Sequence, residues 1–355
     1  MNKLLFILLL FFGCDLFKSK DANIGEEIIP GRNIYIVGSY GGSACYWLNG
    51  SRIDLSGGDR ATDVVVVNGN VYISGTCGNN ACYWINEERF DLPGAWGEGE
   101  AISVDGDDIY VAGWFEDGSC YWKNGNQITL TTNRDSQAFA IGVRNNDNRD
   151  VYVGGYYMNN HHYYVPCFWK NGNNRTNLPA AEDGEVHDIT FDEAGNMRYY
   201  AGYTTNLDNF SGYPPKACYW RHTSRTDLPI GGSNMDIYGS YAHGITIDGE
   251  DVYLAGYTNR YEFVGEEETT GGDFPQYWKN NNIYDLEGGP MTQFGTGAAY
   301  DVRVADGDVV IVGVATMGPT YNDSGESACY WINGELHYLE EANNILSEAK
   351  GVFID

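Results

Sequence analysis

Asn70-Val-Tyr-Ile-Ser-Gly75, then Cys82-Tyr-Trp84, then Leu92 is the stretch whose reading decides the fold, because the same order returns along the whole chain. The first phrase recurs as Asn33-Ile-Tyr-Ile-Val-Gly38, Asp108-Ile-Tyr-Val-Ala-Gly113, Asp150-Val-Tyr-Val-Gly-Gly155, Met197-Arg-Tyr-Tyr-Ala-Gly202, Asp251-Val-Tyr-Leu-Ala-Gly256 and Asp308-Val-Val-Ile-Val-Gly313. The second recurs as Cys45-Tyr-Trp47, Cys120-Tyr-Trp122, Cys167-Phe-Trp169, Cys218-Tyr-Trp220, Gln276-Tyr-Trp278 and Cys329-Tyr-Trp331. Leu55, Leu130, Leu178, Leu228, Leu286 and Leu339 complete the set, eight residues after the tryptophan in six copies and nine in the fourth. Seven copies at Trp-to-Trp spacings of 37 to 58 residues mark a repeat architecture.

Each copy holds four short extended segments. Segment A is a stretch such as Ala61-Thr-Asp-Val64 or Ala299-Tyr-Asp-Val302, B the Val-Tyr phrase, C the tryptophan phrase, and D the run to the leucine. Asn68-Gly-Asn70 and Asp306-Gly-Asp308 join A to B, and Asn49-Gly50, Asn124-Gly125 and Asn333-Gly334 join C to D, all strong hairpin signals. Four antiparallel strands per unit predict an all-β, seven-bladed β-propeller of four-stranded blades. The first copy starts at B, while Ala349-Lys-Gly-Val-Phe-Ile-Asp355 is an A segment with no B after it. The C-terminal strand is therefore expected to complete the first blade, since a ring leaves no open edge. The expected repeats are about 31–60, 61–98, 99–137, 138–185, 186–241, 242–298 and 299–348, with 349–355 as the closing strand.

Across residues 31–355 the repeats resemble two bacterial extracytoplasmic groups. Tyr-Trp followed by Asn-Gly and a later leucine, as in Tyr46-Trp47, Asn49-Gly50 and Leu55, resembles the HAF-type extracellular repeat. Asn70-Val-Tyr-Ile-Ser-Gly75 is similar to the SBBP-type phrase. Neither resemblance implies a defined reaction. The double-glycine strand of kelch repeats and the cofactor signatures of quinoprotein propellers are absent, so no cofactor is expected. Met1 to Gly13, with Lys3 and an apolar run from Leu4 to Phe12, reads as a signal peptide over 1–13. Cys14 directly after Gly13 resembles a bacterial lipoprotein signal, which implies lipidation at Cys14, a tether over 14–30 and anchoring to a bacterial membrane on its periplasmic or cell-surface side.

Composition narrows the partners. The 355 residues include 49 Asp plus Glu against 21 Lys plus Arg, a formal charge of -28 that repels phosphate backbones and argues against nucleic acid. The expected partner is a protein, peptide or glycan, met by a membrane-anchored binding module.

Length variation points to one face. From the B-strand glycine to the tryptophan the spacing is 9, 9, 9, 14, 18, 22 and 18 residues, whereas C–D turns hardly vary. B–C and D–A loops share one end of the blades, so that end is the expected working surface. Its long loops carry His161, Tyr163 and Tyr164; Phe210 and Tyr213; and Tyr261 and Phe263 among carboxylates. A second set comes from the A segments, where one position reads Thr62, Glu100, Phe139, His187, His243, Tyr300 and Lys350, expected at the channel mouth. These groups suit ligand contact. One alternative uses the same site, a carbohydrate-active hydrolase or lyase with Glu100, His187 or His243 as acid/base groups; another, by analogy with other propeller lipoproteins, is a scaffold subunit of an envelope complex. Two histidines and one glutamate make a thin metal set, and none is expected. Six cysteines share one strand-C position and read as small buried apolar residues, while Cys77 and Cys82 flank a short turn and are placed to pair across it.

Overall fold

The computed structural model describes residues 29–133, 135–144, 148–180, 182–205, 214–230, 235–264, 267–289, 295–316, 326–340 and 345–355, and these hold 29 strands. In chain order they are β1 (Ile34–Tyr40), β2 (Ser43–Leu48) and β3 (Ser51–Asp54); β4 (Arg60–Val67), β5 (Asn70–Cys77), β6 (Asn80–Ile85) and β7 (Glu88–Asp91); β8 (Glu98–Asp105), β9 (Asp108–Phe115), β10 (Gly118–Lys123) and β11 (Asn126–Thr129). Then follow β12 (Ser136–Val143), β13 (Val151–Met158), β14 (Tyr164–Lys170) and β15 (Asn174–Asn177); β16 (Gly184–Phe191), β17 (Arg198–Thr204), β18 (Lys216–Arg221) and β19 (Ser224–Asp227). The last are β20 (Met235–Asp248), β21 (Asp251–Val264), β22 (Glu267–Lys279), β23 (Asn282–Asp285) and β24 (Gly295–Thr296); β25 (Ala298–Ala305), β26 (Asp308–Thr316), β27 (Glu326–Ile332), β28 (Glu335–Tyr338) and β29 (Ser347–Ile354). They form seven sheets around a ring, each of four antiparallel strands, with β24 added parallel to β22 in the sixth, and the first has the order β29-β1-β2-β3. The chain is a seven-bladed β-propeller sealed by its C-terminal strand, with Ile34 opposite Ile354 and Tyr40 opposite Ser347.

The recurring phrases are the parts that hold blades together. All seven repeat tryptophans are at most 1% exposed. Trp122 Nε1 donates to the Pro93 carbonyl, Trp220 to Pro179, Trp278 to Pro229 and Trp331 to Glu287, each time onto the residue after the preceding blade's leucine. Trp47 makes the same contact across the closure, onto the Glu340 carboxylate. The leucine's own N–H donates to the carbonyl of the residue before the cysteine position of its C strand, as Leu92 does to Ala81 and Leu286 to Pro275. Tryptophan and leucine thus fix the same seam from opposite sides.

The C–D connections at one end of the ring are tight turns. At Asn49-Gly50 and Asn124-Gly125 both residues have positive φ, the type I′ geometry that suits twisted hairpins. The Asn49 side chain accepts from the Ile34 N–H and donates to Asn33, and Asn86, Asn124, Asn171, Asn280 and Asn333 repeat this on their own B strands. His222 occupies the position in the fifth blade with φ 56. The outer strands are four residues long and carry pairs such as Arg52–Asp54 and Arg89–Asp91, which blunt their free edges.

The innermost strands share a second device. Each has a register break that leaves one residue unpaired, between Ala61 and Asp63, Gly99 and Ala101, Ala138 and Ala140, Val186 and Asp188, Ala242 and Gly244, Ala299 and Asp301, and Ala349 and Gly351. A β-bulge bends the strand and re-aims the extra side chain. The B-strand glycine makes the bulge possible. A Cβ on Gly113 would stand 1.9 Å from the Glu98 carbonyl oxygen, and the equivalent glycines meet the same carbonyl at 1.8 to 2.1 Å. Glycine is required here for close approach, not for an unusual φ.

Two readings of the sequence change. The segment from Asn259 to Pro275 is not a loop, because pairing continues out to Val264 opposite Glu267 and the sixth blade extends as a long three-stranded hairpin. Of the six strand-C cysteines read as small buried apolar residues, Cys82 instead forms a bridge to Cys77, whereas Cys45, Cys120, Cys167, Cys218 and Cys329 are free and buried. The bridge forms because the turn between β5 and β6 brings the two Cα atoms to 5.9 Å.

The glycine requirement has a direct test. Gly113→Ala should destabilise the propeller by about 3 kcal/mol or more, because backbone must move to admit the methyl group. Gly125→Ala, at φ +76 with open space around it, should cost only about 1 kcal/mol. Denaturant titration of both variants measures the difference.

Candidate functional site

The bulges gather their side chains at one place. A cavity of about 380 Å³ at the channel mouth is lined by Thr62, Glu100, Phe139, His187, His243, Tyr300 and Lys350, which are the seven bulged residues, together with Arg60, Glu98, Gln137 and Trp114. Arg60, Glu98 and Gln137 each precede a bulged residue by two positions, so period-2 alternation puts them on the same face. Glu185 and Glu348 hold the same offset and touch His187 and Lys350 at 3.3 and 3.2 Å. Sequence reading missed these residues, although the offset of two from the bulge was available as a signal. Trp114 follows the B-strand glycine Gly113 and pairs with Glu98.

Because blades follow one another around the ring, the lining divides into two arcs. Blades one to three supply Lys350, Thr62, Arg60, Glu98 and Glu100, and Arg60 is paired to Glu98 and lies 3.8 Å from Glu100. Glu98 and Glu100 share a hydrogen bond. Burial, and then the neighbouring Glu98 carboxylate, push the Glu100 carboxyl up to about 7 against the pull of Arg60. Thr62 Oγ1 bonds to Ser74 Oγ and to the Gly99 carbonyl, so it floors this arc.

Blades four to seven supply rings. Phe139 stacks on His187 at 5.0 Å, His187 lies 4.6 Å from His243, and His243 stacks on Tyr257 at 5.5 Å and meets Tyr300 edge-on at 5.5 Å. Tyr203, Tyr241 and Tyr257 back this wall, with centroids 5.0 Å apart in sequence around it. Lys350 Nζ sits 3.7 Å above the Tyr300 ring and closes the circle where the arcs meet. Burial, with His187 and Lys350 nearby, holds His243 well below the usual histidine range, so it is neutral at pH 7. His243 Nε2 is buried and makes no hydrogen bond to the described residues.

Below the mouth lies an internal polar layer. Asp63, Asp188 and Asp301 follow their bulged neighbours, and each carboxylate accepts two backbone N–H groups, one from its own next residue and one from the adjoining blade (Ile102, Ile245 and Val352). Arg303 donates to Asp301. Burial raises all three carboxyls, Asp63 to about 6 and Asp188 to about 7. These groups staple blades together, and among the described residues no cluster of three His, Cys, Asp or Glu is arranged to hold a metal ion.

The remaining sequence-nominated residues are placed differently. Tyr164 reaches the rim, 37% exposed, and connects through Tyr156 to Phe139 by ring contacts of 4.6 and 5.9 Å. His161 and Tyr163 belong to a turn organised by Asn159, whose side chain accepts from both N–H groups, and neither lines the cavity. Tyr261 and Phe263 stand on the outer part of β21, with Tyr261 opposite Asp236 and Gly271, about 17 Å along the strand from Gly256 at bulge level. Their side chains, and all of Phe210, Tyr213 and Cys14, lie outside the described residues.

No family model and no curated protein matches the sequence. Among solved structures, the tricorn protease is similar at 10% identity and a TM-score of 0.48, over 89% of this chain and 34% of that one, so this chain spans about a third of its length. The β-propeller domain of the Trilobed protease from Pyrococcus furiosus is similar at 14% identity and a TM-score of 0.33, over 80% of this chain and 96% of that one. An endo-1,4-beta-xylanase from Bacteroides thetaiotaomicron is similar at 9% identity and a TM-score of 0.35, over 62% of this chain and 93% of that one.

The charged arc carries a pH signature with a defined sign. Folded Glu100 holds its proton up to about 7, whereas the ordinary value is 4.5. Its contribution to stability is complete below 4.5 and is lost as pH rises through 7. Glu100→Gln keeps a neutral hydrogen-bonding group and removes that loss. Its melting temperature should match the parent's at pH 5 and exceed it by about 2–4 °C at pH 8 in paired thermal melts.

Proposed function

We propose that this protein is an exported, membrane-anchored binding module whose ligand enters the channel-mouth cavity. The observation that carries this reading is the convergence of all seven bulged side chains on one cavity, charged on one arc and ring-lined on the other. Rings offer flat apolar faces, while Arg60, Glu98 and Lys350 offer directed polar groups. A compact ligand with a flat face and many hydroxyls, the end of a glycan, satisfies both arcs at once. His243 Nε2 adds a buried hydrogen-bonding atom on the ring-lined side that the described chain leaves unused.

Binding fits the carboxyl geometry better than hydrolysis does. Glycosidases set two carboxyl groups roughly 5 Å or 6.5–9.5 Å apart so that a sugar or a water fits between them. Glu98 and Glu100 instead hydrogen-bond to each other, and Arg60 engages Glu98. The Cys77–Cys82 bridge supports an oxidising, extracytoplasmic setting, in keeping with the signal and Cys14 proposed for anchoring.

Two measurements test this. Full-length protein in detergent, applied to arrays of plant and microbial oligosaccharides and of peptides, should bind saccharides, and Phe139→Ala should weaken that binding about tenfold or more. Undiminished binding by Phe139→Ala would remove the cavity from the function. Separately, Cys14→Ser should shift the protein from the membrane fraction to the soluble fraction; retention in the membrane would remove the lipid anchor.

A further inference from the structure

Trp96 stands apart from the other tryptophans described. It is 61% exposed, whereas the seven repeat tryptophans are at most 1% exposed. Its φ is +53, in the left-handed region where a bulky side chain is a genuine outlier. Strain of this kind persists only when surroundings impose it, and it concentrates at ligand sites. The surroundings can be named. The Gly97 N–H donates to the Asn79 carbonyl in the β5–β6 turn, which the Cys77–Cys82 bridge braces, and the Ala95 carbonyl accepts from the Glu116 N–H beyond β9. Gly97 lies so close to β9 that a Cβ there would stand 2.2 Å from the Trp114 carbonyl oxygen. Trp96 is therefore clamped from both sides by neighbouring turns, with its large ring turned out to solvent.

Its position is as informative as its exposure. Trp96 precedes cavity-lining Glu98 by two residues and is anchored against the strand that carries cavity-lining Trp114. Two residues span at most about 7 Å, so the backbone of Trp96 lies within that distance of Glu98 at the edge of the charged arc, and its exposed ring stands outside the cavity lining. On that arc the cavity itself holds one large ring, Trp114, beside its carboxylates and cations, and Trp96 adds an exposed indole outside the lining.

We infer that Trp96 is an outer stacking platform for a second or later sugar ring, so that the site takes an oligosaccharide whose end fills the cavity and whose next ring lies on the indole. This rests on the glycan reading above and adds a subsite outside the cavity. The test uses full-length parent, Trp96→Gly, which suits the positive φ, and Trp96→Phe, titrated with cello-, xylo- and chito-oligosaccharides of one to six units. For the series that binds, parent affinity should rise about tenfold from one ring to several. Trp96→Gly should lose that rise and keep the single-ring affinity, and Trp96→Phe should restore part of it. An unchanged length dependence in Trp96→Gly overturns the platform and leaves the cavity reading standing. Binding of no saccharide by the parent, or of peptides alone, overturns both.

Discussion

The contact on which the structure depends is the seating of an inner-strand carbonyl against a side-chain-free B-strand residue. Wherever Glu98 O, Arg60 O or their equivalents press onto glycine, the inner strand can slip by one residue and turn a side chain into the channel. The geometry is set by the glycine and the carbonyl, so the turned-in side chain has no part in making it. Thr62, Glu100, Phe139, His187, His243, Tyr300 and Lys350 can therefore differ as widely as they do on one backbone framework. A fold that fixes the direction of a residue without fixing its identity leaves chemistry free to vary there.

The two arcs of the cavity follow from how blades tolerate charge. Blades one to three have short B–C turns, and their charged groups neutralise one another locally, as Arg60 does with Glu98 and Lys350 with Glu348. Blades five to seven have longer insertions between B and C, and with blade four they surround the histidines with rings. Desolvation there disfavours charge, which keeps His243 neutral and lifts the Tyr257 and Tyr300 hydroxyls above the ordinary tyrosine range. The cavity therefore sets a wall of rings around a neutral His243 opposite a wall whose charges pair with one another.

Much of this was legible in the sequence because the repeat is written in residues that cannot be replaced cheaply. The seam tryptophan, the bulge glycine and the Asn of the type I′ turn each have one physical task, so they recur in register. Seven copies and a truncated first unit were enough to give the strand order, including β29 beside β1. The bulged positions are legible by counting from a small residue, although nothing in the sequence marks the bulge itself. Arg60, Glu98 and Gln137 escaped because their relation to the cavity is a same-face relation across a register break. The extension of blade six also escaped, since a stretch rich in carboxylates and glycine looks like a loop until its pairing partner is known. Trp96 escaped because nothing local in Pro93-Gly-Ala-Trp-Gly97 signals that neighbouring turns will hold it outward.

The seams themselves are unequal, and their inequality bears on closure. Three devices join adjoining blades: the tryptophan N–H to the preceding blade, the aspartate that accepts from the next inner strand, and a serine hydroxyl that accepts from the neighbouring C strand. Between blades five and six all three occur, through Trp278, Asp188 and Ser240. They coincide again between blades seven and one, through Trp47, Asp301 and Ser347. The first-to-second seam is different, since Trp84 Nε1 is buried without a partner there. Joining β29 to β1 brings together segments near opposite ends of the described chain, so it carries the largest loop-closure entropy of any strand pairing in the ring. Concentrating polar staples at that seam offsets the cost where it is greatest. Because the Val352 N–H donor and the Ser347 Oγ acceptor both belong to β29, these two staples form only after the last strand docks, which makes the seal cooperative with completion of the ring.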